Sequence, residues 1–274
     1  MLEKVTIRDI QRAPLKYLSY ANLSAFENGK EYMFDRGLNV IVGPNGSGKT
    51  TLLKLISTYT LCESAFMSTI PPILKLDRML YDDKGIGEGY VMKDGVDVIH
   101  DYKTKVFNLI HPKDLPQGTI SDDMNMTKLY ISTTNISTGE GVLQSFGYLV
   151  DLMNTTKNPS FPIEDLKREI RARDGIWRDK LEDLLRYYER NAIGNYSGQY
   201  TVLLDEPDRN LDIMNIKSIY DILMYDREDL QLIAVVHNPI LIYKLLKQRT
   251  RRINWVELVP GYVNEVKMAI ESLL

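Results

Sequence analysis

The chain has a single cysteine, Cys62, among its 274 residues. That excludes an internal disulfide and a cysteine metal cluster, and makes a reducing, cytoplasmic setting the expected one. Cys62 itself reads as plain packing after a helix. No apolar run approaches the ~20 residues that a membrane-spanning helix requires, and the start lacks a basic-then-apolar signal pattern, so no direct membrane insertion is expected. Excess charge is missing too: a net charge of -3 gives no global drive toward nucleic acid or anionic lipid. Internal repeats and low-complexity linkers are absent. The span between Lys49 and Ser137 carries no sustained heptad pattern, which excludes long coiled-coil arms there. What remains, 44% hydrophobic and 26% charged, suits one globular domain over 1–274 able to bury a large core.

Within that ordinary composition one stretch stands out. Gly43-Pro44-Asn45-Gly46-Ser47-Gly48-Lys49-Thr50 follows the apolar run Leu38 to Val42 and opens a segment with helical spacing. This is a P-loop in its strand-loop-helix setting. A phosphate chain needs several donors converging from one side, and glycines let backbone N–H groups approach without a Cβ in the way. Gly43, Asn45, Gly46, Ser47, Gly48, Lys49, Thr50 and Thr51 form the expected nucleotide-contacting set. Lys49 is expected to reach the β- and γ-phosphates, Thr50 to ligate Mg²⁺, and the helix N-terminus to face the anion.

A second apolar strand, Thr201 to Leu204, ends in Asp205-Glu206-Pro207. Carboxylates where a strand leaves the sheet beside a phosphate site suit two tasks. Asp205 is expected to orient Mg²⁺, and Glu206 to polarise the attacking water. Next comes Asn210-Leu211-Asp212, and then a buried-type strand, Gln231 to Val236, delivers His237 with Asn238-Pro239 behind it. An imidazole there can contact a γ-phosphate or the attacking water; a structural role fits it as well.

The order of these motifs resembles the ABC-type ATPases. The P-loop, the Leu-Leu-Asp-Glu-Pro strand, the Asn-Leu-Asp loop and His237 correspond to Walker A, Walker B, D-loop and switch histidine. Ser137-Thr138-Gly139-Glu140-Gly141 looks like the family's Ser-x-Gly-Glu signature, followed by a helix to about Met153. It also suits ordinary helix capping. The resemblance implies that Ser137, Gly139, Glu140 and Asp212 serve an ATP held by a second copy, in a head-to-tail homodimer with two ATPs sandwiched between subunits. Tyr17 to Phe26 and Leu38 to Gly43 resemble the opening of the RecF, SMC and OLD-like branch, with Leu23 and Ser24 where that branch usually has Phe and a basic residue. His237-Asn238-Pro239 resembles its His-Ser-Pro.

The expected fold is therefore α/β: a P-loop NTPase of ABC-ATPase type, with a mixed or parallel core sheet flanked by helices, an N-terminal antiparallel β part and a helical insertion. Three strands are expected over residues 15–42, a helix over 49–61, a hairpin pairing 88–92 with 96–100, and strands over 103–110 and 128–132. Gln117 is a candidate for the family's lid glutamine, in a Pro-Gly turn context. Signature and Walker B lie farther apart than is usual in that family, which marks 155–198 as the insertion. Its apolar residues recur at helical spacing, either packed on their own domain or forming a docking surface through Trp177, Tyr187 and Tyr188. Lys244, Lys247, Arg249, Arg251 and Arg252 form an acid-free basic run: a solvated helix end or a nucleic-acid or partner contact.

Three functions fit. One is an ATPase acting as motor or switch in a DNA-processing or defence complex; another is an ATP-gated module that controls a partner effector by slow hydrolysis. The third is the ATPase subunit of a membrane transporter.

Overall fold

The computed structural model describes residues 1–10, 23–60, 63–64, 95–101, 104–109, 146–147, 150, 167, 171, 182, 185–186, 189, 198–209, 211 and 213–273. Among these, nine strands and four α-helices form two sheets with a helix between them. In chain order they are β1 (Leu2–Ile7), β2 (Glu31–Met33), β3 (Leu38–Val42), α1 (Lys49–Tyr59), β4 (Glu63–Ser64), β5 (Val96–His100), β6 (Lys105–Leu109) and β7 (Tyr200–Asp205), followed by α2 (Ile213–Leu223), β8 (Leu230–Val235), α3 (Pro239–Lys247), β9 (Ile253–Glu257) and α4 (Tyr262–Glu271).

The larger sheet has the order β4-β6-β7-β8-β3-β9, and every pair in it is parallel. A parallel sheet is covered on both faces, so its central strands read as unbroken apolar runs. β3 and β8 are buried at every position. The smaller sheet, β2-β1-β5, is antiparallel, with β1 in the middle. Here Leu2, Val5 and Ile7 of β1 face the core; burial alternates from Lys4 to Ile7, and a register shift between Leu2 and Lys4 brings Leu2 to the same side.

α1 fills the space between the sheets. Leu52, Leu55, Ile56 and Tyr59 recur at helical spacing and, with Leu53, are almost wholly buried. They join one apolar cluster with Val5 and Val96 from the small sheet and Ile41, Leu203 and Ile233 from the large one. Each such side chain contributes about 1.5–3 kcal/mol on burial. A second cluster covers the opposite face, where α2, α3 and α4 contribute Ile219, Leu223, Leu241, Leu245 and Val266.

The α/β class, the parallel sheet and the antiparallel β part are as expected from sequence. Three elements differ. β1 lies at residues 2–7, ahead of the range in which the first strands are expected, and within 23–42 the described strands are β2 and β3. β5 pairs antiparallel with β1; the proposed hairpin partner, 88–92, lies outside the described residues. β9 and α4 have no counterpart in the sequence reading. Residues 128–132 also lie outside the described residues. Of the span 155–198, Lys167, Arg171, Glu182, Leu185, Arg186 and Glu189 are described as helical and Gly198 as a bend; Lys167 pairs with Glu189 at 3.0 Å, and Leu185 packs on the first cluster.

Of the basic run only the Arg251 side chain is buried; Lys244, Lys247, Arg249 and Arg252 are exposed. The Arg251 side chain is buried and its Nη1 donates to the carbonyls of Leu223 and Tyr225, at the end of α2, while Nη2 pairs with Asp226 at 3.1 Å. Arg252 pairs with Asp35, Lys247 with Glu271, and Lys244 sits 3.9 Å over the Tyr220 ring. Lys244 and Lys247 are exposed in the last turn of α3, as either reading of the run requires, while Arg251 braces a neighbouring helix.

Candidate functional site

The carboxyl ends of β3, β7 and β8 lie side by side, because β8 pairs with both of the others in parallel register. Whatever follows each strand therefore meets at one edge of the sheet. After β3 comes the P-loop, after β7 the Asp-Glu pair, and after β8 His237.

Glycine is required in the loop by close approach. Gly48 has φ +98°, and a Cβ there would lie 2.5 Å from Cε2 of Phe26, which is itself buried under the loop. Phe26 is held by the turn Ser24–Phe26, whose Ala25 carbonyl accepts from the Tyr32 hydroxyl at 2.7 Å. At Gly43 an added Cβ would stand 2.7 Å from Ser47 Oγ. Gly46 and Gly48 both take positive φ, which turns the chain into α1.

Lys49 is buried and its ammonium donates to the carbonyls of Gly43 and Pro44, each at 2.8 Å. Burial lowers its pKa, opposed by the charges of Glu206, Asp208 and Asp205. Thr50 Oγ1 donates to Asp205 Oδ1 at 3.0 Å, bringing together the two side chains expected at Mg²⁺. Thr51 is buried at the start of α1.

On the other side, His237 Nε2 lies 2.9 Å from Glu206 Oε1, and Nδ1 lies 3.1 Å from Asn45 Oδ1. The imidazole thus bridges the Asp-Glu turn and the P-loop. Glu206 takes φ +49°, the left-handed region, and is the only described non-glycine residue with positive φ. Such a conformation costs of order 1–3 kcal/mol and persists where the surroundings dictate it. The turn closes through Arg209 N–H to the Glu206 carbonyl at 3.0 Å.

A buried ammonium held by loop carbonyls, a Thr–Asp contact at the strand edge and donors of α1 facing the same space suit a triphosphate with Mg²⁺. Gly43, Asn45, Gly46, Ser47, Gly48, Lys49, Thr50, Thr51, Asp205, Glu206 and His237 lie along this one edge. Ser137, Gly139, Glu140, Asp212 and Gln117 lie outside the described residues. The sequence reading passed over Asp208, which is buried behind Glu206 and accepts the backbone N–H groups of His237 and Asn238. Nothing in the string Asp-Glu-Pro-Asp-Arg distinguishes it from a turn former.

A parallel sheet with a P-loop on one strand, an Asp-Glu pair two strands away and a histidine on the strand between defines a P-loop α/β protein. Residues 17–68, which carry β2, β3, the P-loop and α1, match the family model of the AAA domain. That match covers the P-loop part of the chain, under a fifth of its length. No curated protein matches the chain. Among solved structures, it aligns with an SMC head bound to the C-winged helix domain of ScpA at 15% identity and TM-score 0.33, covering 88% of this chain and 90% of that one. It also aligns with the SMC head domain from Thermotoga maritima at 13% identity and TM-score 0.34, with the same coverage of each chain.

Proposed function

We propose that this protein binds and hydrolyses ATP, and that two copies close head to tail over two nucleotides as the motor or switch of a DNA-processing or defence complex. The observation that carries the first part is the meeting of Lys49, Thr50, Asp205, Glu206 and His237 at one sheet edge, with Thr50 to Asp205 at 3.0 Å and His237 to Glu206 at 2.9 Å.

In this reading the P-loop N–H groups and Lys49 bind the phosphates, which draws the ammonium away from the Gly43 and Pro44 carbonyls. Thr50 and Asp205 hold Mg²⁺, which supplies charge neutralisation on the phosphate oxygens. Glu206 accepts a proton from the attacking water, and His237 orients that water or the γ-phosphate from the opposite side. Ser137, Gly139, Glu140 and Asp212 complete the site of the second copy. The pairing and the DNA-linked or defence role rest on the ABC-type resemblance. Among the described residues no helix is long and apolar enough to cross a membrane.

The test is size-exclusion chromatography with light scattering on Glu206→Gln, with and without Mg-ATP. Removing the base while keeping the shape of the site should leave ATP bound, so a dimer is expected only when nucleotide is present. A monomer under both conditions would refute the pairing; loss of ATP binding would refute the site. A wild-type dimer that persists through many minutes with ATP would identify the slow, effector-gating form.

A further inference from the structure

Asp208 is not explained by the roles assigned so far. It is 4% exposed, an unusual position for a carboxylate without a cation bonded to it. Its Oδ2 accepts the N–H of His237 at 2.9 Å and that of Asn238 at 2.5 Å, while Oδ1 is buried without a hydrogen-bond partner. Burial raises its pKa, and the two N–H bonds pull it back down. Two consecutive N–H groups converging on one oxygen fix the direction of the chain at that point.

The same link is held from its other end. Asn238 Oδ1 accepts from Ile240 and Leu241 N–H and so caps α3, with Pro239 at the first helical position. Helix capping is thus already supplied by Asn238, and the N–H groups that Asp208 receives lie ahead of the helix. Among the described residues, no group of three His, Cys, Asp or Glu that could hold a metal ion includes Asp208. What Asp208 fixes is the segment from which the His237 ring reaches Glu206. Asp208 also belongs to the turn that begins at Glu206, so one short turn carries both carboxylates.

We propose that Asp208 is a positioning residue for ATP hydrolysis: by receiving the His237 and Asn238 N–H groups it holds the His237 imidazole against Glu206. The inference rests on the ATPase reading above. Its requirement is an accepting oxygen in that place rather than a charge. Asparagine keeps that oxygen and replaces one that has no partner.

The experiment compares wild type, Asp208→Asn, Asp208→Ala, His237→Ala and the double variant Asp208→Ala/His237→Ala. ATP turnover and KM are measured, together with amide hydrogen exchange at residues 237 and 238 by NMR. Asp208→Ala should lower kcat by about 30- to 100-fold, the scale of a misplaced catalytic group, and leave KM within about twofold. Asp208→Asn should stay within about threefold of wild type. In the His237→Ala background, Asp208→Ala should cost nothing further. Exchange at both amides should accelerate in Asp208→Ala and stay slow in Asp208→Asn.

Full turnover in a folded Asp208→Ala, equal losses in Asn and Ala, or losses that multiply in the double variant would each overturn the proposal. Should the alanine variant not fold, fast exchange in Asp208→Asn would overturn it and slow exchange would uphold it. Absence of ATP turnover in the wild type would instead sink the ATPase reading, and the exchange comparison would still decide whether the clamp exists.

Discussion

The two ends of the central strands differ in how their polar groups are settled. At the amino-terminal ends of β3 and β8, Asn39 and Gln231 are fully buried and every polar atom of both side chains is bonded. Gln231 accepts from Leu2 N–H and the Thr201 hydroxyl and donates to the carbonyls of Leu2 and Asp35. Asn39 accepts from Asp35 N–H and Asn254, and donates to Asp35 and Leu232 carbonyls. These bonds tie β1 and the loop before β3 to the parallel sheet. At the carboxyl-terminal ends, Ser47 Oγ and Asp208 Oδ1 are buried without a hydrogen-bond partner, Lys49 leans on loop carbonyls, and Glu206 carries a strained backbone. One end is closed and fixes the fold. The other keeps capacity in reserve, which is what a ligand edge requires.

This contrast breaks if changes at the open end cost stability or changes at the closed end cost catalysis. The largest effect belongs to Glu206→Gln: turnover should fall about 1,000-fold, or about 4 kcal/mol in barrier, with ATP affinity retained. Steady-state phosphate release and equilibrium binding check the two halves separately. Activity near that of wild type would remove Glu206 from the base role. Next is Lys49→Ala, which should weaken Mg-ATP binding about 100-fold, close to 2.7 kcal/mol, while urea unfolding shifts little. Fluorescent-nucleotide titration reads the first effect. A large stability loss without an affinity loss would make Lys49 part of the closed, structural class.

Most of the open end was legible in the chain. The glycine pattern between an apolar run and a helical one, and acids or a histidine directly after buried strands, point to chemistry because the strands' direction fixes where those residues emerge. Asp208 was not, because its partners lie about 30 residues on, in a segment that only pairing of β7 with β8 brings near. The closed end was much less readable. β1 is stabilised by β5, far along the chain, and β9 is short, with only Val256 buried in it. α4 begins from left-handed Gly261, and its first N–H groups bond to Glu257 at the end of β9, a cap supplied from outside the helix. Tertiary contact decides such elements, and local pattern does not.

Gln231→Ala sharpens the comparison from the structural side. It removes four bonds at once and strands a buried N–H, two carbonyls and a hydroxyl, so a loss of about 2.5 kcal/mol in unfolding free energy is expected. ATP affinity of the folded fraction should stay near that of wild type. Reduced affinity at unchanged stability would show that the two ends are not separable.

Arg251→Ala gives the smallest effect, about 1.5 kcal/mol, and decides how the basic run is used. Its guanidinium satisfies the Leu223 and Tyr225 carbonyls at the end of α2, groups that a helix terminus leaves without intrahelical partners. The Asp226 pair adds little, because that carboxylate is largely exposed. Arg251→Lys should therefore recover only part of the loss, since both carbonyls accept from Nη1 and the shorter lysine stem does not carry its ammonium as far as that nitrogen. Urea unfolding of the three proteins measures this order. If Arg251→Ala instead leaves stability untouched and lowers retention on double-stranded DNA, the residue works outward, and the amino-terminal end of the sheet would be a functional surface too.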